Sequence, residues 1–219
     1  MLKLRMLAQW CSLALLAGTV AGCGGTLGTD APELRETTYG MVRGANDSAV
    51  SGTYAWKGIP FAQAPVGALR WQPPVEPVAW PGERDARSFG NACLQMGRIY
   101  GPGANNRFDD SIAQTLGTPV GSEDCLTLNI WRPANTQERL PVILFLHGGS
   151  AISGYTADPV YDGAVLARTA NAVVVTANYR LDVLGYMQMP QLGGGSASYT
   201  GNYALLDHML TCPLLPCHP

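Results

Sequence analysis

The 219 residues carry 14 basic against 16 acidic side chains, a net charge of −2, with 47% hydrophobic and 14% charged residues. A chain of this length can bury the core of one domain, and so apolar a composition excludes intrinsic disorder. No long run of like charge occurs, which argues against nucleic acid as a partner and against a membrane gripped by a basic patch.

Residues 1–23 read as an export signal. Lys3 and Arg5 give a short positive start, and the apolar stretch over 10–20 is about half the length a bilayer crossing requires. It ends in Val20-Ala21-Gly22-Cys23, which resembles a bacterial lipobox, where the cysteine is lipidated and becomes the new N-terminus. The expected location is the bacterial cell envelope, with the chain held at the membrane by a lipid on Cys23. An ordinary signal peptide cut nearby is the alternative, and would place the chain in the periplasm or the medium. Residues 24–36, opening with Gly24, Gly25, Thr26 and Gly28, supply a flexible tether.

The body is expected over 37–210. Residues 37–44 and 53–57 read as short strands separated by the turn-rich stretch 44–48. Residues 59–80 are proline-rich and aperiodic, an extended ordered loop. A second irregular stretch runs over 89–121, with turn signals at Gly101-Pro102-Gly103 and Asn105-Asn106. Loops this long in a compact domain are more often functional than idle. Residues 126–131 then alternate apolar and polar, as a half-buried strand does. Residues 142–146 and 172–177 are continuous apolar runs, and 162–169 has helical spacing between them. Such an order is the signature of a parallel βαβ unit with covered strands. A last helix is predicted over 202–210, with Leu205, Leu206, Met209 and Leu210 along one side. A glycine turn falls at Gly193-Gly194-Gly195.

Of six cysteines, Cys11 and Cys23 belong to the signal and Cys212 and Cys217 to the C-terminal tail. Cys93 and Cys125 are the pair left in the body, and an exported chain reaches an oxidising compartment, so a disulfide between them is the economical reading. Two buried free thiols are the alternative.

The chemistry concentrates at 141–150, where an apolar strand runs into His147-Gly148-Gly149-Ser150. A strand ending this way brings bare backbone N–H groups to the carboxyl edge of a parallel sheet, where ligands bind. Glycine allows close approach of the backbone. Two adjacent donors aimed at one spot can hold the oxyanion of a tetrahedral intermediate, as the HGG-type loops of esterases and lipases do. A plain glycine turn after a strand is the alternative.

Six segments settle the context. They are 56–70 (WKGIPFAQAPVGALR), 122–133 (SEDCLTLNIWRP), 147–149 (HGG), 161–163 (YDG), 173–181 (VVVTANYRL) and 201–207 (GNYALLD). In order and spacing they resemble carboxylesterase type B, the cholinesterase-like esterases, over nearly all of 37–210. The resemblance implies the N-terminal portion of an α/β-hydrolase fold, a central mostly parallel sheet flanked by helices and preceded by short antiparallel strands. It implies hydrolysis of a small-molecule carboxylic ester through an acyl-serine, with no cofactor and no metal. Gly149 and Ser150 would supply oxyanion-hole N–H groups, with His147 and Gly148 shaping the loop. Cys93 and Cys125 match the family's first disulfide. Arg70 matches an arginine paired with Glu123, and Arg180 one paired with Asp207; both pairs would be structural, and of little weight if exposed.

Three departures matter. The family usually has a third glycine at the place of Ser150, and an aromatic residue at the place of Ala151. A serine hydrolase needs a Gly-x-Ser-x-Gly elbow, then an acid and a histidine. The 219 residues contain no such elbow, and neither His147, His208 nor His218 stands where the family's catalytic histidine falls. Finally, residues 211–219 hold three prolines and two cysteines, which stop a helix. They read as an aberrant tail, a frameshift near 210 or a genuine early stop. The expectation is therefore a truncated, inactive esterase. A non-catalytic binding or adhesion module of the same family, or a fragment that assembles with a separately encoded C-terminal half, are the alternatives. In the family's sheet the strand at 142–146 would then be left as an unprotected edge.

Overall fold

The computed structural model describes residues 31–106, 108, 112–135, 139–187 and 201–211. Cys23, the glycine run at 193–195 and the tail at 212–219 lie outside the described residues. Ten strands and three α-helices follow in order: β1 (Leu34–Thr37), β2 (Gly40–Arg43), β3 (Ala45–Asp47), β4 (Thr53–Pro60), β5 (Glu83–Asp85), β6 (Gln95–Met96), β7 (Pro119–Val120), β8 (Thr127–Pro133), β9 (Val142–Leu146), α1 (Ala164–Ala170), β10 (Val173–Ala177), α2 (Asp182–Tyr186) and α3 (Tyr203–Thr211).

The main sheet has the order β3-β4-β8-β10-β9. Pairing is antiparallel from β3 to β10 and becomes parallel between β10 and β9, with Val174 opposite Ile143 and Thr176 opposite Phe145. Helix α1 crosses between β9 and β10, which is the expected βαβ unit. This is an α/β-hydrolase architecture, entered through its antiparallel side.

Local readings shift in three places. The strand expected over 37–44 is two strands, because Thr37 turns the chain: its hydroxyl donates to the Gly40 carbonyl and accepts the Tyr39 N–H. A separate three-stranded sheet, β1-β2-β5, therefore begins at Leu34, inside the stretch assigned to the tether, and residues 45–47 of the expected turn form β3 against β4 in the main sheet. Strand β8 is not half-buried; lying between β4 and β10, it is covered on both faces. Leu128 faces a core of Trp56, Phe61, Val175, Leu181 and Ala204, while Trp131 faces Ala55, Val174 and the Ala164/Ala167 side of α1. Burying each large side chain contributes about 1.5–3 kcal/mol. Asn129 is buried in the same strand because its polar groups are used inside: it accepts the Gly58 N–H and donates to the hydroxyls of Thr156 and Thr176, whereas the Thr127 hydroxyl is buried with no partner among the described residues.

Helix α3 departs most. Half of its predicted apolar side is outward, with Leu205 52% and Met209 60% exposed; Leu206 and Leu210 are half-buried, Leu210 against the main core, while Tyr203, Ala204, Asp207 and Thr211 are buried. Leu206, Met209 and Leu210 instead wall an open groove with Pro73 and Pro74.

Strand β9 is likewise not a covered strand but an edge, as the family's sheet order implies. Phe145 is 40% exposed, Val142 and Leu146 are also exposed, and the strand holds no charge or proline to discourage pairing. Such an edge templates association. The 219-residue chain is expected to self-associate with rising concentration, and Phe145→Lys to keep it monomeric in sedimentation. A wild-type chain that stays monomeric throughout would contradict the edge argument.

Candidate active site

Strand β9 delivers its carboxyl end to the site. His147 is buried directly after it, whereas Gly148, Gly149 and Ser150 are exposed. Gly149 has φ +124°, and the next two residues, Ser150 and Ala151, are left-handed at φ +57° and +63°. The loop then closes on itself: the N–H groups of Ile152 and Ser153, and the Ser153 hydroxyl, all donate to the Gly149 carbonyl. Among the described residues, no hydrogen bond takes up the N–H of Gly149 or Ser150. The loop thus presents two free, adjacent donors.

The loop borders an open cleft of about 560 Å³, walled by Gly148, Gly149 and Gly154 on one side and by Tyr100, Tyr155 and Tyr161 on others. Burial pushes the Tyr155 phenol upward, helped by nearby Asp158, so it stays a neutral hydroxyl. The cleft is lined by aromatic rings, glycine backbone and the polar or charged side chains of Gln95, Arg98 and Asp158.

Residues that the sequence did not single out hold this loop from below. Gln95 accepts the Gly154 N–H and donates to the carbonyls of Gly154 and Cys93. Asn178 accepts the Thr156 N–H and donates to the Asn91 carbonyl. Tyr179 donates its hydroxyl to the His147 carbonyl at 2.7 Å, stacks on the His147 ring at 4.4 Å and meets His208 edge-on at the same distance. Burial drives the Tyr179 hydroxyl up to about 12, reinforced by Tyr186 and Tyr161. The clue in the sequence was slight: Gln95 lies two residues past a cysteine, and Asn178-Tyr179-Arg180 directly follows β10.

The two histidines have an electrostatic consequence. His147 Nδ1 lies 3.0 Å from the Gly148 carbonyl, so that nitrogen carries the proton; its Nε2 is buried with no hydrogen-bond partner among the described residues. Burial lowers the His147 pKa below its ordinary 6.5, the Gly148 carbonyl opposes this, and His208 adds a smaller lowering. Burial lowers His208 as well, with Asp207 opposing. An unfolded histidine takes a proton near pH 6.5 while these folded rings resist it. Their contribution to stability is therefore full above that pH and lost as pH falls below it. The urea midpoint is expected to drop between pH 7 and 5.5, and His208→Gln to flatten the drop. A midpoint that rises on acidification would refute the assignment.

The pairs expected from resemblance are formed. Cys93 and Cys125 are disulfide-bonded across 32 residues, which on the chain-entropy model is worth about 3–4 kcal/mol. Arg70 grips Glu123 through two hydrogen bonds of 2.6 Å at the surface; this raises the Arg70 pKa, but solvent screens the pair. Arg180 and Asp207 are 4% and 0% exposed. What the described residues do not bring together is a nucleophile with a base: Ser150 and Ser153 belong to the loop, and of the two described histidines His147 is buried and His208 half-buried, both in ring contact with Tyr179.

Comparison with known proteins follows the same outline. The model of the carboxylesterase family matches residues 31–212. The fumonisin B1 esterase of Sphingopyxis macrogoltabida is 42% identical over 82% of this chain and 30% of its own length. A medium-chain fatty acyl-CoA hydrolase precursor of Anas platyrhynchos is 38% identical over 90% of this chain and 34% of its own. Among solved structures, a thermophilic PNB esterase superposes with a TM-score of 0.68 at 33% identity, over 82% of this chain and 34% of that one. The chain thus spans about a third of the length of the relatives it matches.

Proposed function

The chain belongs to the carboxylesterase family, and from that premise we propose that it forms the oxyanion-binding wall and part of the substrate cleft of a carboxylic ester hydrolase. The observation that carries this reading is the pair of adjacent, uncommitted N–H groups of Gly149 and Ser150, on a loop whose Gly148 and Gly149 line the cleft. When a nucleophile adds to an ester carbonyl, the carbonyl oxygen gains the charge. Two fixed donors stabilise that charge more than they stabilise the neutral ester, and so lower the barrier. His147 and Gly148 shape the turn without contacting the reacting atoms. The tyrosines of the lining offer apolar surface for the organic part of a small ester.

Nucleophile, acid and base would come from a further segment, in the same polypeptide or separately encoded, since no Gly-x-Ser-x-Gly lies within these 219 residues. By itself the chain is expected not to turn over esters. The test is hydrolysis of p-nitrophenyl butyrate by the chain alone and by the chain co-expressed with the C-terminal two-thirds of a close carboxylesterase. Turnover by the co-purifying pair only is the expected result. A soluble, co-purifying pair without turnover would sink the hydrolase reading, and turnover by the chain alone would sink the division of labour.

We also place the product at a membrane through Cys23. Cys23→Ala is expected to move it from the membrane to the soluble fraction, and a variant that stays membrane-bound would remove the anchor from consideration.

A further inference from the structure

We infer that Gln95 is the positioning residue of the oxyanion loop, coupling it to the segment fixed by the Cys93–Cys125 disulfide. The inference rests on the proposed role of the Gly149 and Ser150 N–H groups. Gln95 lies in β6, two residues past Cys93, and is buried. Its carboxamide is fully used: Oε1 accepts the Gly154 N–H at 2.9 Å, and Nε2 donates to the Gly154 carbonyl at 2.9 Å and the Cys93 carbonyl at 3.0 Å. One side chain therefore pairs with both backbone groups of Gly154, as a neighbouring strand would, from a segment 59 residues away.

Gly154 in turn lies directly beneath the loop. A Cβ there would overlap the Gly148 carbonyl and the His147 ring, and a Cβ on Gly149 would overlap the Ser153 carbonyl. Residues 153–154 thus form the floor on which 147–149 rests, and any drift of the floor is passed to the Gly149 and Ser150 donors. The disulfide fixes the other end of the clamp, since Cys93 is both the bonded cysteine and an acceptor of Gln95. No other described side chain bonds both backbone groups of a loop residue at this site.

The chemistry of the carboxamide makes the proposal specific. Glutamate has the same shape and keeps an acceptor for the Gly154 N–H, but when ionised it turns two donor positions into acceptors facing carbonyl oxygens. Methionine keeps the volume and removes all three bonds. Gln95→Met and Gln95→Glu are to be compared with the full 219-residue chain by hydrogen–deuterium exchange. Phe145→Lys serves as the common background, to hold each sample monomeric. Exchange over 148–156 is expected to accelerate about tenfold in both variants, while exchange over β8 and β10 stays as in the parent. Unchanged protection of the loop would overturn the inference. So would equal acceleration everywhere, which would make Gln95 an ordinary core residue. The readout needs no turnover: a loop released as expected in a chain that never supports ester hydrolysis would fault the hydrolase reading and leave the clamp standing.

Discussion

Replacing Asp207 by alanine is expected to destabilise the chain by about 3–5 kcal/mol, a large fraction of the stability of an ordinary domain. The carboxylate is fully buried and accepts the Arg180 backbone N–H at 3.0 Å, its Nε at 2.9 Å and its Nη2 at 2.7 Å. The guanidinium completes its contacts by donating to the carbonyls of Gln72 and Tyr203, and lies over the Tyr203 ring. Removing the carboxylate leaves that cation without a counter-charge in the core, so its desolvation penalty goes uncompensated in addition to the lost hydrogen bonds. The effect should be direct here, because α3 turns Leu205 and Met209 outward and Asp207 adds the polar anchor to the packing of Tyr203, Ala204 and Leu210. Urea melts give the difference. A double variant, Arg180→Met with Asp207→Leu, should recover most of the loss, since a buried pair replaced by apolar groups is often neutral. A single variant within 1 kcal/mol of wild type would show that the pair is dispensable.

The same helix explains where reading the sequence stops. Its four apolar residues at spacing 1, 4 and 5 look like a packed face, and the helix itself was legible from them. Which side faces inward is set in part by Asp207, whose partner Arg180 sits 27 positions earlier, three residues past the end of β10. That information is pairwise and long-range, and no hydrophobic period carries it. Strand β9 was legible because five apolar residues in a row between a proline and a glycine turn suit a parallel strand. Its exposure was a property of sheet order, available only through the family resemblance. The β1–β2 hairpin was missed because a threonine, rather than the usual Asn-Gly, makes the turn. At the site, the oxyanion-type loop announced itself through consecutive glycines. Its supports did not: Gln95, Asn178 and the Tyr179 stack act through side-chain hydrogen bonds and ring contacts, most of them between segments distant in the chain. Polar residues of this kind have no pattern of their own.

Gly149→Ala tests the loop itself. At φ +124° an L side chain is rarely tolerated, and its Cβ would overlap the Ser153 carbonyl oxygen. The backbone must therefore rotate, at a cost of about 1–3 kcal/mol for the strained conformation alone. Rotation swings the Gly149 N–H away from the cleft and disturbs the Ser150 N–H that follows. In a hydrolase assembled from this chain and a C-terminal segment, kcat is expected to fall by about 10²–10³, the loss typical of one oxyanion donor, with KM little changed. Ser150→Gly is the opposite case. Ser150 already holds a left-handed conformation that glycine adopts freely, so this change should stabilise by about 1 kcal/mol and preserve the N–H. Opposite effects at neighbouring positions would separate the geometry of the donors from general damage to the loop. If Gly149→Ala instead raised KM and spared kcat, the loop would be contributing to ground-state binding, and the charge developing on the ester oxygen would have to be held elsewhere.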